Sequence, residues 1–203
     1  MRKRDNPFKE IREEQIKKAA LKVFSEKGYH KATMSEIAEA ADIGKGTIYW
    51  YWKSKQDLAY SLFFDMQNTN YNMVLKALSS KGPVINKFMN LSDDIVEYTQ
   101  NNKQSVDLLL KFWVDRDNVF TIEHMNKIDE MYYRAITGIK NLLDEGMANG
   151  ELNKDDSMFL SIMIQSMASG IDRIWLELGD EFPLRKAYHK LVEFVMTTLR
   201  SGA

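Results

Sequence analysis

Residues 33–55 read TMSEIAEAADIGKGTIYWYWKSK and leave the backbone few choices. Thr33-Met34-Ser35-Glu36 is a capping box: the Thr33 hydroxyl can accept from the Glu36 amide while the Glu36 carboxylate reaches back to the Thr33 amide. It opens a short helix over about 34–41, with Ile37, Ala38 and Ala41 on its inner side. Asp42-Ile43-Gly44 is a turn, and a second short helix runs from about Lys45 to Trp52. Two short helices joined by a tight glycine-containing turn make a helix-turn-helix. The second is basic and aromatic, the chemistry of a helix that enters the DNA major groove. Residues four apart share a helix face. Ile48 and Trp52 therefore share one face, expected to be core. Lys45 and Tyr49 share another, with Gly46 and Trp50 alongside, expected to meet the groove. Tyr51 falls at the edge. For Trp50 a second reading, an exposed aromatic or a dimer contact, stays open; a Trp can also pack on a thymine methyl.

The flanking pattern is helical throughout. Ile11, Ile16, Ala19, Ala20, Val23 and Phe24 recur with helical period from about Asn6 or Pro7 to Lys27, and Gly28 ends the run. Ser54-Lys55-Gln56-Asp57 offers an N-cap to a long helix reaching about Ser79. After Gly82-Pro83, helices are expected at about 83–101, 104–115, 119–148, 155–178 and 184–200. Neither an alternating strand nor an internal repeat is evident. The fold expected is all-α, with about nine helices: a three-helix N-terminal unit and a larger bundle.

Composition removes several classes of function. The chain lacks cysteine, so disulfide and thiolate chemistry are excluded, which suits a cytoplasmic location. The charged start, MRKRDNPFKE, is not a secretory signal, and no apolar run is long enough to span a membrane. The net charge of −1 conceals an asymmetry: residues 1–56 carry 13 Lys and Arg against 8 Asp and Glu. A basic first quarter on an acidic body points to a polyanionic partner at one end. Arg2, Lys3 and Arg4 could add phosphate or minor-groove contacts, or simply keep the terminus solvated.

The stretch AALKVFSEKGYHKATMSEIAEAADIGKGTIYWYWKSKQDL resembles the TetR/AcrR family of transcriptional regulators. It carries the AxxxFxxxGY pattern of the first helix, the TxxEIA helix, and the KGTxYxY recognition helix followed by SKxxL. Two departures stand out: Gly44 occupies a place where Ser or Thr often caps the helix, and Trp52 replaces the usual Phe. The resemblance implies a helix-turn-helix DNA-binding domain over 1–55 and a ligand-binding and dimerisation domain over 56–203, with the long fourth helix as connector. It implies a repressor that binds a palindromic double-stranded operator and is released by a small-molecule inducer. An activator, or a ligand-independent regulator answering to a protein partner, is the alternative. By the same resemblance Thr33 caps the second helix and touches phosphate, Lys45, Gly46 and Thr47 approach bases or adjacent backbone, and Tyr49 contacts phosphate or base edges. Trp50 takes part in readout, Tyr51 donates to phosphate, and Lys55 touches phosphate.

For the C-terminal bundle the resemblance implies architecture only: a homodimer through the last two helices and an inducer pocket among the middle ones. Leu184, Tyr188, Leu191, Val195 and Leu199 form an apolar stripe, a candidate dimer seam or intrachain core. The preceding helix offers Ser161, Gln165, Ala168 and Asp172 as a small, polar face opposite Phe159, Ile162 and Met163. Phe112, Trp113, Met131, Tyr132, Met163, Met167 and Trp175 are the candidate ligand-binding residues, since Met gives an adaptable wall and Tyr or Trp a polar handle. Met and aromatics fill ordinary cores equally well. His30, His124 and His189 have no metal-ligand spacing, Asp93-Asp94 and Asp155-Asp156 read as caps or surface charge, and nucleophile elbows and phosphate loops are missing. Neither catalysis, nor a metal, nor a cofactor is expected.

Overall fold

The computed structural model describes residues 7–200, so the basic segment Arg2, Lys3 and Arg4 lies outside the described residues. Those residues form ten α-helices and no strand: α1 (Pro7–Lys27), α2 (Met34–Ala40), α3 (Lys45–Tyr51), α4 (Lys55–Ser79), α5 (Val84–Asn101), α6 (Lys103–Val114), α7 (Arg116–Val119), α8 (Ile122–Ala148), α9 (Ser157–Leu178) and α10 (Leu184–Leu199). A 3-10 turn, Gly179–Glu181, precedes α10. The all-α expectation holds. The one extra helix, α7, arises because Phe120 turns extended (φ −110°, ψ 152°). The Thr121 hydroxyl then accepts from the His124 amide at 3.2 Å and starts α8 afresh.

The chain divides into two compact units. The first comprises Met1–Met66 and Asp107–Asn126, the second Gln67–Val106 and Lys127–Ala203. In the first, the boundaries follow local chemistry. Gly28, at φ +77°, takes the left-handed position that ends α1. The capping box at α2 is formed, with Thr33 N–H on Glu36 Oε2 at 2.9 Å and Glu36 N–H on Thr33 Oγ1 at 3.2 Å. Ser54 caps α4 by accepting from the Asp57 amide at 3.0 Å. Ile16, Ala20, Phe24, Ile37, Ala38, Ile48 and Leu58 are buried. Phe112 meets the Phe24 ring edge-on at 5.9 Å and Phe120 at 5.7 Å between centroids, so α6 and α7 help close this core.

In the second unit, Val74, Phe88, Leu91, Leu142, Leu143, Val192, Val195, Met196 and Leu199 belong to one buried cluster. Gly138 in α8 permits a close approach of α4, since a Cβ there would stand 2.5 Å from Val74. A buried lysine, Lys87, is paired with both oxygens of Glu145 at 2.8 and 2.9 Å, which satisfies a charge that burial would otherwise make costly. Val96, Trp175, Leu184 and Tyr188 form a second cluster.

The α10 stripe is therefore core rather than seam: Leu184, Tyr188, Val195 and Leu199 are buried within their own chain. The α9 faces are also reversed from an interface reading. Ser161 is fully buried, and Asp172 accepts a hydrogen bond from the Tyr188 hydroxyl at 2.9 Å, so the small, polar face looks inward. A buried tyrosine hydroxyl needs an acceptor and its ring needs a small neighbour, which Asp172 and Ala168 supply. Phe159, Ile162 and Met163 face outward, with Phe159 60% exposed.

Candidate nucleic-acid interface

The α2–α3 turn is set by Asp42 rather than by glycine. Asp42 holds φ +50°, a left-handed conformation that Asp tolerates through its short polar side chain. Gly44 is extended (φ −62°, ψ 141°) and caps α3 without a side-chain hydrogen bond. Its carbonyl accepts from the Thr47 amide at 2.8 Å.

From that start α3 sorts its residues by face. Ile48 is fully buried and Trp52, the residue that ends the helix, is 9% exposed. Tyr49 is 46% exposed and Trp50 87%. Lys45, Gly46 and Thr47 are also exposed, and Tyr51 is half-buried at the boundary. A Cβ built on Gly46 meets nothing within 4 Å, so the chain itself has no steric need for glycine there. Basic, aromatic and small groups thus lie together on one solvent-facing helix surface, while the aromatic run Tyr49 to Trp52 is divided between surface and core.

Two expected phosphate ligands are engaged internally. Thr33 is exposed, but its hydroxyl lies in the capping box, 2.9 Å from Glu36 Oε2. Lys27 donates to the other oxygen, Glu36 Oε1, at 2.8 Å. Hydrogen bonds from Lys27 and Thr33 hold the Glu36 carboxyl at about 2, well below the usual range. Lys55 differs more from expectation. Its ammonium donates to the carbonyls of Tyr29 (2.8 Å), Ala32 (2.9 Å) and His30 (3.3 Å) and lies 4.4 Å from the Tyr29 ring centroid. An ammonium has three protons, so three carbonyls account for them, and Lys55 ties down the loop before α2 instead of presenting a free charge. Burial lowers its pKa, opposed by Glu36.

Sequence reasoning passed over the beginning of α1. Phe8, Lys9, Ile11, Arg12 and Gln15 border a surface groove with Thr47, Trp50 and Tyr51, about 630 Å³ in volume. Ile11, grouped by period with Ile16, Ala20 and Phe24, is instead 66% exposed: five residues before Ile16 it lies well round the helix from their inner face.

The seven candidate ligand-binding residues are divided between the two units, Phe112 and Trp113 in the first and the other five in the second. Phe112 is buried in the first unit, and Trp113 stacks on Phe63 at 6.2 Å with the Arg116 guanidinium over its ring. Trp175 is core in the second unit, with the Lys103 ammonium 5.2 Å from its centroid. Met163 is on the outward side of α9; Met131, Tyr132 and Met167 are half-buried. The second unit does contain a small apolar cavity of about 60 Å³, bordered by Phe88, Leu91, Ile95, Ile139, Ile164, Leu191 and Val195 with Ser92, Gln165 and Tyr188 as polar atoms. None of the seven lines it. Beside it, burial pushes the Asp172 carboxyl up to about 7 against the pull of the Tyr188 hydrogen bond.

The histidines are separate, each beside a carboxylate: His30 with Asp115 (2.7 Å), His124 with Asp57 (3.4 Å) and His189 with Asp93 (2.9 Å). No group of three metal-ligating side chains occurs among the described residues, and no helix among them is long and apolar enough to cross a membrane.

Comparison with known proteins places this geometry in context. Residues 16–62 match the family model described as bacterial regulatory proteins, tetR family. The HTH-type transcriptional regulator SAB2452 of Staphylococcus aureus is 30% identical over 169 residues, spanning 81% of this chain and 82% of that protein. The fatty acid metabolism regulator protein of Bacillus subtilis is 26% identical over 140 residues, 69% of this chain and 70% of that one. Among solved structures, the transcriptional regulator FadR from Bacillus subtilis in complex with stearoyl-CoA superposes with a TM-score of 0.77 at 21% identity, covering 92% of this chain and 99% of that one.

Proposed function

The chain belongs to the TetR family of bacterial transcriptional regulators, and from that premise we propose that it is a ligand-responsive repressor. It binds a palindromic operator as a homodimer in the cytoplasm and leaves it when a small molecule occupies the C-terminal bundle. The similar proteins are transcriptional regulators, and the chain is one too rather than an enzyme. The division of labour is residues 1–55 for DNA and 56–203 for effector and partner.

One observation carries this reading: the exposed face of α3, where Lys45, Gly46, Thr47, Tyr49 and Trp50 stand in solvent over a buried Ile48 and Trp52. Tyr49 and Trp50 meet base edges, Gly46 permits close approach of the duplex, and Lys45 answers the phosphates. Tyr51, at the rim, donates to a phosphate. Thr33 reaches the backbone with the end of α2, while Lys55 acts at one remove by fixing the loop that carries Thr33.

The dimer forms through the outward faces of α9 and α10. Phe159, Ile162, Met163, Ile174, Leu178 and Phe194 are exposed apolar residues there. An isologous pairing of two such faces buries them and gives the two-fold symmetry that a palindrome requires.

The effector carries an apolar chain, as does the stearoyl-CoA bound by the B. subtilis neighbour. The cavity among α5, α8, α9 and α10 supports this chemistry. At about 60 Å³ it holds the space of roughly two waters, so an acyl chain enters only if those helices part. The ligand then favours the opened geometry by its differential affinity, and the dimer so altered no longer fits successive major grooves.

The test is operator binding by fluorescence anisotropy. Wild type binds its selected duplex in a salt-dependent way, and Tyr49→Ala loses that affinity by tenfold or more. Equal sequence-specific affinity of the two proteins would remove α3 as the reading helix. Long-chain acyl thioesters should release wild type from the duplex; failure of every chain length would remove the effector class and leave the DNA reading intact.

A further inference from the structure

The groove beside α3 has chemistry that the recognition helix does not explain. Its α1 wall carries Phe8, 82% exposed, and Ile11, 66% exposed, with Lys9 and Arg12 between and beyond them. Phe8 and Ile11 put apolar surface on this wall beside the two cations. The other wall is Thr47, Trp50 and Tyr51 of α3.

Arg12 is held in place. One guanidinium N–H donates to Gln15 Oε1 at 2.9 Å, and Gln15 Nε2 donates to the Ala41 carbonyl at 2.5 Å. Ala41 ends α2 and leads into the turn that aims α3. The brace therefore fixes Arg12 relative to α3 rather than only to its own helix. A guanidinium has five N–H donors; among the described residues one is engaged, with Gln15. Lys9 lies 3.5 Å from Glu13 on its own helix and is largely exposed.

We propose that the first turns of α1 are a second DNA-contacting element, in which Arg12, positioned by Gln15, binds a backbone phosphate next to the bases faced by α3, and the α1–α3 groove receives that sugar–phosphate strand. This rests on the DNA-binding reading above and deepens it. The occupant follows from continuity with the α3 face and from charge: a planar guanidinium matches two phosphate oxygens, Lys9 adds a second cation, and Phe8 and Ile11 cover deoxyribose. Arg12 carries no base preference; it sets affinity and register.

The experiment uses a fluorescein-labelled 30-bp duplex enriched from a random pool by the full-length wild-type protein, and a scrambled duplex of equal length. Anisotropy is read across a salt series for wild type, Arg12→Gln, Arg12→Lys and Tyr49→Ala, with thermal unfolding as the check on folding. Loss of one phosphate contact lowers the slope of log K against log salt by about 0.9 per protomer. Arg12→Gln should show that drop and lose about tenfold in affinity on both duplexes. Arg12→Lys should recover the slope and part of the affinity. Tyr49→Ala should erase the difference between duplexes. An Arg12→Gln protein with wild-type slope and affinity overturns the inference while the α3 reading stands, as does an Arg12→Lys protein that behaves as poorly as Arg12→Gln. A wild-type protein that prefers no duplex overturns the DNA reading and this inference together.

Discussion

Gly46 sits in the first turn of a short helix where alanine would be favoured by roughly 0.5–1 kcal/mol, and nothing within 4 Å of its Cβ position asks for glycine. Under the proposed function the reason for it is close approach of the duplex. Gly46→Ala should raise unfolding stability in urea by about that amount and, in the same preparation, weaken operator binding by tenfold or more. A variant that is stabilised and binds normally would contradict close approach at this position. Asp172 makes a separate prediction. Its folded-state pKa, about 7, lies above the ordinary carboxylate value of 3.8, so the folded chain holds this proton over a range where the unfolded chain has lost it. Stability from this group is complete below about pH 4 and falls as pH rises toward 7, by at most a few kcal/mol on an order-of-magnitude basis. Asp115 and Asp144, whose values are lowered by hydrogen bonds from Asn118 and His30 and from Lys140 and Ser157, act in the opposite direction and only in acid. Asp172→Asn keeps an acceptor for Tyr188, so thermal unfolding from pH 4 to 8 should flatten in this variant and show a gain at pH 8. A variant with the wild-type pH profile would assign the fall to other groups.

At the scale of the element, α3 is short and begins without a side-chain cap. Gly44→Ser places a hydroxyl where it can accept from the Thr47 or Gly46 amide, and the added Cβ lies 3.4 Å from Thr47 Oγ1, a distance that a small rotation relieves. A gain of a few tenths of a kcal/mol in urea unfolding is expected; a loss would mean that the Thr47 rotamer is fixed. The faces of α3 were legible in the sequence because seven residues of helix leave only one assignment of Ile48 and Trp52 once Lys45 and Tyr49 are placed outside. The α10 stripe was equally visible, yet its destination was not. Periodicity identifies an apolar face and is silent on whether its partner is the same chain or another copy. Here the partner is α5 and α9, through Val96, Trp175 and the core around Leu142. Lys55 shows a different limit. The family resemblance suggested phosphate, whereas its ammonium is held by three loop carbonyls, a backbone geometry that no local pattern encodes.

For the whole molecule, the all-α architecture was readable from helical period, caps and the scarcity of strand signals. The proposed effector site was not, because Met and aromatic residues fill a core and line a pocket with the same composition, and Phe112 and Trp175 are buried. The proposed symmetric dimer is testable through α9. Ile162→Glu puts a charge on its outward apolar face, away from the chain's own core. Sedimentation at micromolar concentration should show a dimer for wild type and a monomer for the variant, with an unchanged helical spectrum; a dimeric variant would move the interface elsewhere.

The central claim, that the exposed face of α3 reads an operator in two copies, meets its most direct test in the sequences enriched from a random duplex pool by wild type and by Trp50→Ala. Wild type should enrich an inverted repeat whose half-site centres lie about one helical turn, roughly 34 Å, or a multiple of it apart. Trp50→Ala should enrich the same repeat with preference relaxed at one symmetric position in each half-site. A wild-type pool with no shared sequence, or a single unrepeated site that Trp50→Ala retains unchanged, would contradict the account.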